Sequence, residues 1–242
     1  MRATTKGKKE EQSDPATTLV FLFDVDNTLL DNDRSKKDMS AALHEVLGDE
    51  GEEHFWELYE QVRKELDVVS YPETLKRFAD SWEDVVVAEK AAKLINEWPY
   101  GDYLYPDSLE VVKHVSRMGE VGIVSDGDTD YQPRKIANAG LAEAVGHDDV
   151  LIFTHKQESL HHVTRMLPGC HYVLVDDKES VLADVDKVLG HRLTTVWVKQ
   201  GHYATDPKYY KKPDPDIVLD HIGELRAFER SDFLSRARGG CA

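Results

Sequence analysis

Aspartates directly follow two apolar runs of the sequence. Asp24 and Asp26 come at the end of the first run, and Asp176 and Asp177 at the end of a later one. Two carboxylates two residues apart on an extended chain point to the same side, where both stay ionised only if a cation joins them or their tasks differ. One can then bind a metal and attack as a nucleophile while the other carries a proton. If all four acids meet, they require a hard, oxygen-preferring cation such as Mg²⁺.

Two further apolar runs are followed by residues that suit an anion. Ser125, Asp126 and Gly127 supply a hydroxyl and a turn whose backbone amides can face an anion. Lys156 follows the next run, and its ammonium could neutralise a phosphate and the acids around it. Any one of the aspartates could instead cap a helix or fill a turn. Their repeated position after apolar runs favours a single common site.

The apolar runs predict the strands of a parallel sheet. Each is nearly continuous in apolar residues, as a strand buried on both faces should be. Helical patterns lie between the later runs, so we predict an α/β fold with a Rossmann-like parallel sheet and helices on both sides. Open parallel sheets place their ligand crevice at the carboxyl ends of the strands, where the polar residues fall. The predicted strands are Leu19 to Phe23, Val121 to Val124, Val150 to Phe153, Tyr172 to Val175 and Thr195 to Val198.

The segment between the first two strands is far too long for one crossover helix. Apolar residues recur there at a spacing of three and four, which predicts a small bundle of about four amphipathic helices. We therefore predict a Rossmann-like core made of residues 18–34 and 101–242, an inserted helical cap at 35–100, and a flexible tail at 1–17. A last helix, Ile217 to Phe228, is expected to pack on the sheet with Ile217, Leu219, Ile222 and Leu225.

Composition excludes several classes of protein. A formal net charge of −16 would repel nucleic acid, and no apolar run is long enough to span a membrane. The first seventeen residues lack the apolar stretch of a secretory signal peptide. Cys170 and Cys241, the two cysteines, have neither paired nor metal-type spacing, which indicates a reducing, cytoplasmic setting. The sequence does not indicate an oligomeric state.

Taken in order, the polar clusters resemble the four motifs of the haloacid dehalogenase superfamily from Leu19 onward. The run from Asp24 to Leu29, Asp-Val-Asp-Asn-Thr-Leu, is similar to the first motif. The resemblance implies that Asp24 is a nucleophile and metal ligand, and that Asp26 is a general acid and base whose backbone carbonyl also binds the metal. It implies a Mg²⁺-dependent phosphatase acting on a small phosphorylated metabolite. It further implies phosphoryl binding by Ser125 with the amides of Asp126 and Gly127, a third-motif Lys156, and metal binding by Asp176 and Asp177, with Asp177 the firmer ligand.

Three positions depart from the superfamily pattern. Gln157 stands where a proline usually follows the third-motif lysine. Lys212, followed by Pro213, looks more like that motif, but it comes after the fourth motif, so the order favours Lys156. Val181 occupies a position where many relatives carry a further Asp or Asn, which Glu179 or Asp184 could replace.

Other activities remain open on the same fold. A carbon–halogen dehalogenase is disfavoured by Asp26, because members with that activity lack an acid there. A sugar-phosphate mutase would share Asp24 and Asp26 and would differ in how its cap excludes water. A non-catalytic binding protein would have kept the fold without turnover.

Overall fold

The computed structural model describes residues 18–235 of the chain. The predicted tail, 1–17, and Cys241 lie outside these residues. Six parallel strands form one sheet in the order β3-β2-β1-β4-β5-β6. All five predicted strands are confirmed, with bounds shifted by up to two residues at either end. The strands are β1 Leu19–Phe23, β2 Glu120–Asp126, β3 Val150–Phe153, β4 His171–Asp176, β5 Leu193–Val198 and β6 Ile217–Leu219.

Alternation along β1 shows why both faces of the sheet are covered. Phe21 and Phe23 enter one apolar core, while Val20 and Leu22 enter a second core on the opposite face. Helices pack into both cores, as predicted. On the first face lie α4 Ser108–Val115, α5 Tyr131–Asn138, α6 Leu141–Val145 and α9 Arg230–Leu234; on the second lie α7 Leu160–Met166 and α8 Glu179–Leu189.

Three helices fill the segment between β1 and β2, and we call them the inserted helices. They are α1 Asn32–Leu66, α2 Tyr71–Ser81 and α3 Val85–Asn96. Helix α1 bends at Gly48, whose positive φ of 69° breaks the helical path, so four helical segments result. Asp31 caps the start of α1 by accepting from the Arg34 amide at 3.0 Å. The division into core and cap at residues 35 and 100 stays a prediction.

The expected helix from Ile217 to Phe228 is wrong. Ile217–Leu219 forms strand β6, which pairs with Val196–Val198 of β5, and a 3₁₀ turn follows at Ile222–Ala227. Ile217 and Leu219 are buried while Val218 is exposed, which is the alternation of an edge strand. Pairing with β5 decided this local structure. The expected packing residues, Ile217, Leu219, Ile222 and Leu225, are all buried.

Cys170 also differs from expectation. It belongs to a disulfide in this structure, so cysteine usage no longer favours a reducing setting. Within residues 18–235, no helix is long and apolar enough to cross a membrane.

Candidate active site

The register between β1 and β4 brings the first two acids together. Phe23 pairs with Val175, so Asp24 and Asp176 are the next residues on neighbouring parallel strands. The Asp24 amide continues this pairing by donating to the Val175 carbonyl at 3.0 Å. Both side chains are buried, and Thr28 Oγ1 donates to Asp24 Oδ2 at 3.4 Å. The end of the sheet therefore holds two adjacent buried carboxylates.

Lys156 lies between these two carboxylates. Its Nζ is 2.5 Å from Asp24 Oδ1 and 2.6 Å from Asp176 Oδ2, and its side chain is buried. The turn that carries it is fixed by the Lys156 amide, which donates to Asp126 Oδ1 at 2.7 Å. Burial acts to lower the lysine pKa, but the charges of Asp176 and Asp24 outweigh it and raise the pKa above its ordinary value. Lys156 is therefore a permanent cation within the acid cluster.

Burial also changes the acidity of Asp24. It raises the Asp24 pKa from 3.8 to about 6, although the Lys156 charge opposes the rise. The carboxylate is then ionised near neutral pH but is poorly solvated. A desolvated carboxylate held in place by a cation is suited to act as an oxygen nucleophile.

Asp177 is the least compensated acid of the cluster. Its side chain is fully buried, and neither carboxylate oxygen has a hydrogen-bond partner. Burial, followed by the charges of Asp176 and Asp24, raises its pKa to about 9. The Asp177 backbone is held by Trp197 Nε1, which donates to its carbonyl at 2.9 Å.

These acids fit a divalent metal ion. Asp24, Asp176 and Asp177 each offer a carboxylate oxygen, and the three oxygens lie within 4.8 Å of one another. Hard oxygen donors of this kind suit Mg²⁺. The two Asp177 oxygens are buried without hydrogen-bond partners, so they are free to bind such a cation.

Asp26 lies apart from this cluster, on the wall of a cleft. Lys135 Nζ from α5 bonds to Asp26 Oδ1, and Gln132 Nε2 from the same helix donates to Asp26 Oδ2 at 3.2 Å. Lys135 also donates to Asn32 Oδ1 at 2.7 Å and is only 5% exposed. Lys135 and Gln132 together fix the orientation of the Asp26 carboxylate.

Sequence reasoning missed Lys135 and Gln132. A signal was present: the two polar residues are spaced i, i+3 and lie beside Tyr131 and Ile136 on one helical face. A lysine on the apolar face of an amphipathic helix is unusual unless a buried acid pairs with it.

The second predicted cluster is only partly free to meet an anion. Ser125 is buried, and its Oγ accepts from Gln132 Nε2 at 3.1 Å. The Gly127 amide already donates to the Phe153 carbonyl at 2.9 Å. The strand-end pairing therefore engages one of the two amides expected to bind phosphate, while Asp126 and Gly127 do line the cleft.

Lys178 is a third cation near the acids. Its amide donates to Asp176 Oδ1 at 2.8 Å, and its Nζ lies 4.2 Å from the centre of the Tyr203 ring. Burial opposes its charge, but Asp24 and Asp176 raise its pKa. The sequence analysis did not identify Lys178, although it directly follows the two fourth-motif acids.

The alternative site residues lie elsewhere. Lys212 is exposed and binds Asp214, and Asp184 binds Lys187 and Lys211. Glu179 is outside the group of three acids around Asp24. Lys156, the lysine that motif order favours, therefore lies among the buried acids, whereas Lys212, Glu179 and Asp184 do not.

A cleft of about 930 Å³ opens between the sheet end and the inserted helices. Its lining includes Asp26 after β1, Lys135 from α5, Tyr59 and Arg63 from α1, and Tyr203 from a late loop. A volume of this size accommodates a small organic molecule.

Comparison with known proteins identifies the family of this fold. Residues 18–183 match the family model described as haloacid dehalogenase-like hydrolase. The chain therefore belongs to the haloacid dehalogenase-like hydrolase family, and it is a hydrolase with a six-stranded α/β fold.

Solved structures show the same fold. A haloacid dehalogenase-like hydrolase from Burkholderia xenovorans LB400 is 38% identical, with a TM-score of 0.79 over 88% of this chain and 99% of that one. A HAD phosphatase from Thermococcus onnurineus is 22% identical, with a TM-score of 0.58 over 86% and 96%. L-2-haloacid dehalogenase from Xanthobacter autotrophicus is 16% identical, with a TM-score of 0.55 over 91% and 99%. None of the functionally curated proteins matches the sequence.

Proposed function

We propose that the protein is a Mg²⁺-dependent phosphatase that hydrolyses a small phosphomonoester through a covalent phosphate on Asp24. The observation that carries the proposal is the buried group of Asp24, Asp176 and Asp177, in which Asp177 has two unpartnered carboxylate oxygens. A phosphatase needs such a cation-binding group beside its nucleophile, whereas attack on a carbon–halogen bond does not.

The metal would be held by Asp24, Asp176 and Asp177 together with the backbone carbonyl of Asp26. Bound there, Mg²⁺ would supply positive charge that offsets the phosphoryl oxygens and polarises the phosphorus centre.

The remaining chemistry belongs to side chains of this chain. An Asp24 oxygen attacks phosphorus, a new P–O bond forms, and the ester P–O bond to the leaving oxygen breaks. Lys156 and the Ser125 hydroxyl offset charge on the transferring group. Asp26 gives its proton to the leaving oxygen, then takes one from a water molecule. That water attacks phosphorus, releases inorganic phosphate and restores the Asp24 carboxylate.

Asp26 is the second support for a phosphatase. Dehalogenases of the superfamily lack an acid at this position, and here the acid is present, on the cleft wall, and oriented by Lys135 and Gln132. We propose that the inserted helices act as a cap that closes over the substrate.

The experiment is phosphate release from an aryl phosphate and a panel of metabolite esters, with Mg²⁺ and with a chelator. Asp24→Asn is compared with Asp214→Asn, a matched change at an exposed acid. Metal-dependent release that only Asp24→Asn abolishes supports the proposal. Halide release from 2-haloacids without phosphate release would instead indicate a dehalogenase. Interconversion of phosphate isomers without phosphate release would indicate a mutase.

A further inference from the structure

Three cations of helix α1, namely Lys36, Arg63 and Lys64, line the same cleft as Asp26. Lys36 lies before the bend at Gly48 and Arg63 lies after it, and both line the cleft. Tyr59 lies beside Lys36: Lys36 Nζ is 4.6 Å from the Tyr59 ring centre and donates to its hydroxyl at 3.5 Å. Helix α1 therefore places Lys36 beside an aromatic ring in the cleft, and it adds Arg63, which is paired with Glu60 at 3.2 Å.

The acids that line this part of the cleft are already paired. Asp33 Oδ1 is 2.7 Å from His202 Nδ1, Glu60 Oε2 is 3.2 Å from Arg63 Nη1, and Asp67 Oδ2 is 3.0 Å from His155 Nε2. Each of these carboxylates therefore pairs with a residue other than Lys36.

Lys36 has no comparable partner. Among residues 18–235, no carboxylate oxygen lies within 4.0 Å of Lys36 Nζ. Desolvation is the main cause that lowers the Lys36 pKa; Glu60 acts to raise it, Arg63 to lower it and Asp33 to raise it. An added anion strongly stabilises a cation that is partly desolvated and close to another cation.

Tyr203 and Lys178 line the same cleft as these cations. The Lys178 ammonium lies over the Tyr203 ring, and Lys178 is bonded through its amide to Asp176. Burial raises the pKa of the Tyr203 hydroxyl, while Lys178 and Arg63 both act to lower it. The cleft lined by Lys36 and Arg63 therefore also reaches Asp26 and Lys178, and the Lys178 amide is bonded to Asp176.

We propose that Lys36 and Arg63 bind a second anionic group of the substrate, either a carboxylate or a second phosphate. The substrate class is then a small phosphate ester that carries another anionic oxygen group, with Tyr59 beside it as a hydrogen-bonding aromatic surface. This proposal rests on the proposed function, because it places the phosphoryl group at Asp24.

Binding of phosphonates tests the proposal without requiring turnover. Calorimetry in Mg²⁺ would compare propylphosphonate with 3-phosphonopropionate, which adds a carboxylate, and with propane-1,3-diylbisphosphonate, which adds a second phosphonate. Homologues with one fewer and one more methylene group would cover the span. We expect at least one doubly anionic ligand to bind about tenfold more tightly than its singly anionic partner. The ligand that binds more tightly shows whether the second group is a carboxylate or a phosphate.

Variants locate that preference. Lys36→Met and Arg63→Met should each reduce it to less than about threefold. Lys37→Met is the matched control, since Lys37 is a neighbouring exposed lysine that lines a different hollow, and it should retain the full preference. Equal affinity for singly and doubly anionic ligands, or an unchanged preference in Lys36→Met, would overturn the proposal. If doubly anionic ligands still bind more tightly than singly anionic ones but no ester releases phosphate, only the proposed function is contradicted.

Discussion

Lys135 and Asp26 form an ion pair although they are 109 positions apart in the sequence. The lysine approaches from α5 and is almost fully buried, whereas the aspartate comes from the turn after β1 and keeps contact with the cleft. A buried ammonium is costly unless it is paired, so this contact fixes both side chains. We regard Lys135 as a positioning residue for the proposed acid and base.

Lys135→Met should lower kcat about a hundredfold with little change in KM, because the Asp26 carboxylate loses its orientation rather than a substrate contact. Steady-state phosphate release measures both constants. Lys113→Met, at an exposed position of α4, is the control. A change in KM alone would argue that Lys135 binds substrate instead.

Asp26→Asn should abolish turnover and also destabilise the fold by about 2 kcal/mol, less than the 3–5 kcal/mol of a fully buried pair, because Asp26 is partly exposed. The double variant Asp26→Asn, Lys135→Met should recover most of that stability but no activity. Urea unfolding gives the free energies. Additive losses in the double variant would show that the two residues are not coupled.

Lys156→Met should reduce kcat by about a thousandfold, because the cation between Asp24 and Asp176 is lost. Lys212→Met tests the rival third-motif lysine and should leave activity at the normal level, since Lys212 is exposed and binds Asp214. Circular dichroism checks that both variants are folded. If Lys212→Met lowers kcat and Lys156→Met does not, Lys212 is the third-motif lysine.

Magnesium should stabilise the protein through Asp177. At a concentration one hundred times Kd, it should add about 2.7 kcal/mol to the free energy of unfolding. Asp177→Asn should remove this gain and should itself stabilise the metal-free protein at pH 8, because an uncompensated buried acid is gone. Thermal melts with Mg²⁺ and with chelator measure both effects. Asp206→Asn, at a loop acid outside the group of three, should retain the gain.

His171 should make stability depend on pH. Burial lowers its pKa from 6.5 to about 4, so the unfolded chain binds more protons between these values. The contribution is therefore present above pH 6.5 and is lost as pH falls towards 4, by about 2–3 kcal/mol in all. Urea unfolding at pH 7.5 and pH 4.5 should show a smaller loss in His171→Gln than in the wild-type protein. The exposed His191→Gln should behave like wild type; equal losses in all three proteins would assign the pH dependence to other groups.

The sequence by itself determined the strands that hold the site and the acids at their ends. The runs before Asp24 and Asp176 are buried on both faces, and such continuous apolar runs can be read without knowledge of their neighbours. The i, i+3 and i+4 spacing likewise identified the inserted helices. These signals are local, because each depends on a period within one element.

Only the tertiary structure decided which side chains meet. Ile217 and Leu219 became a strand because β5 offered an open edge, although their spacing also suited a helix. The meeting of Lys135 with Asp26, and of Lys156 with both Asp24 and Asp176, depends on helix packing and strand order between distant segments. The unpartnered state of Asp177 likewise follows from which atoms surround it, which no local pattern encodes.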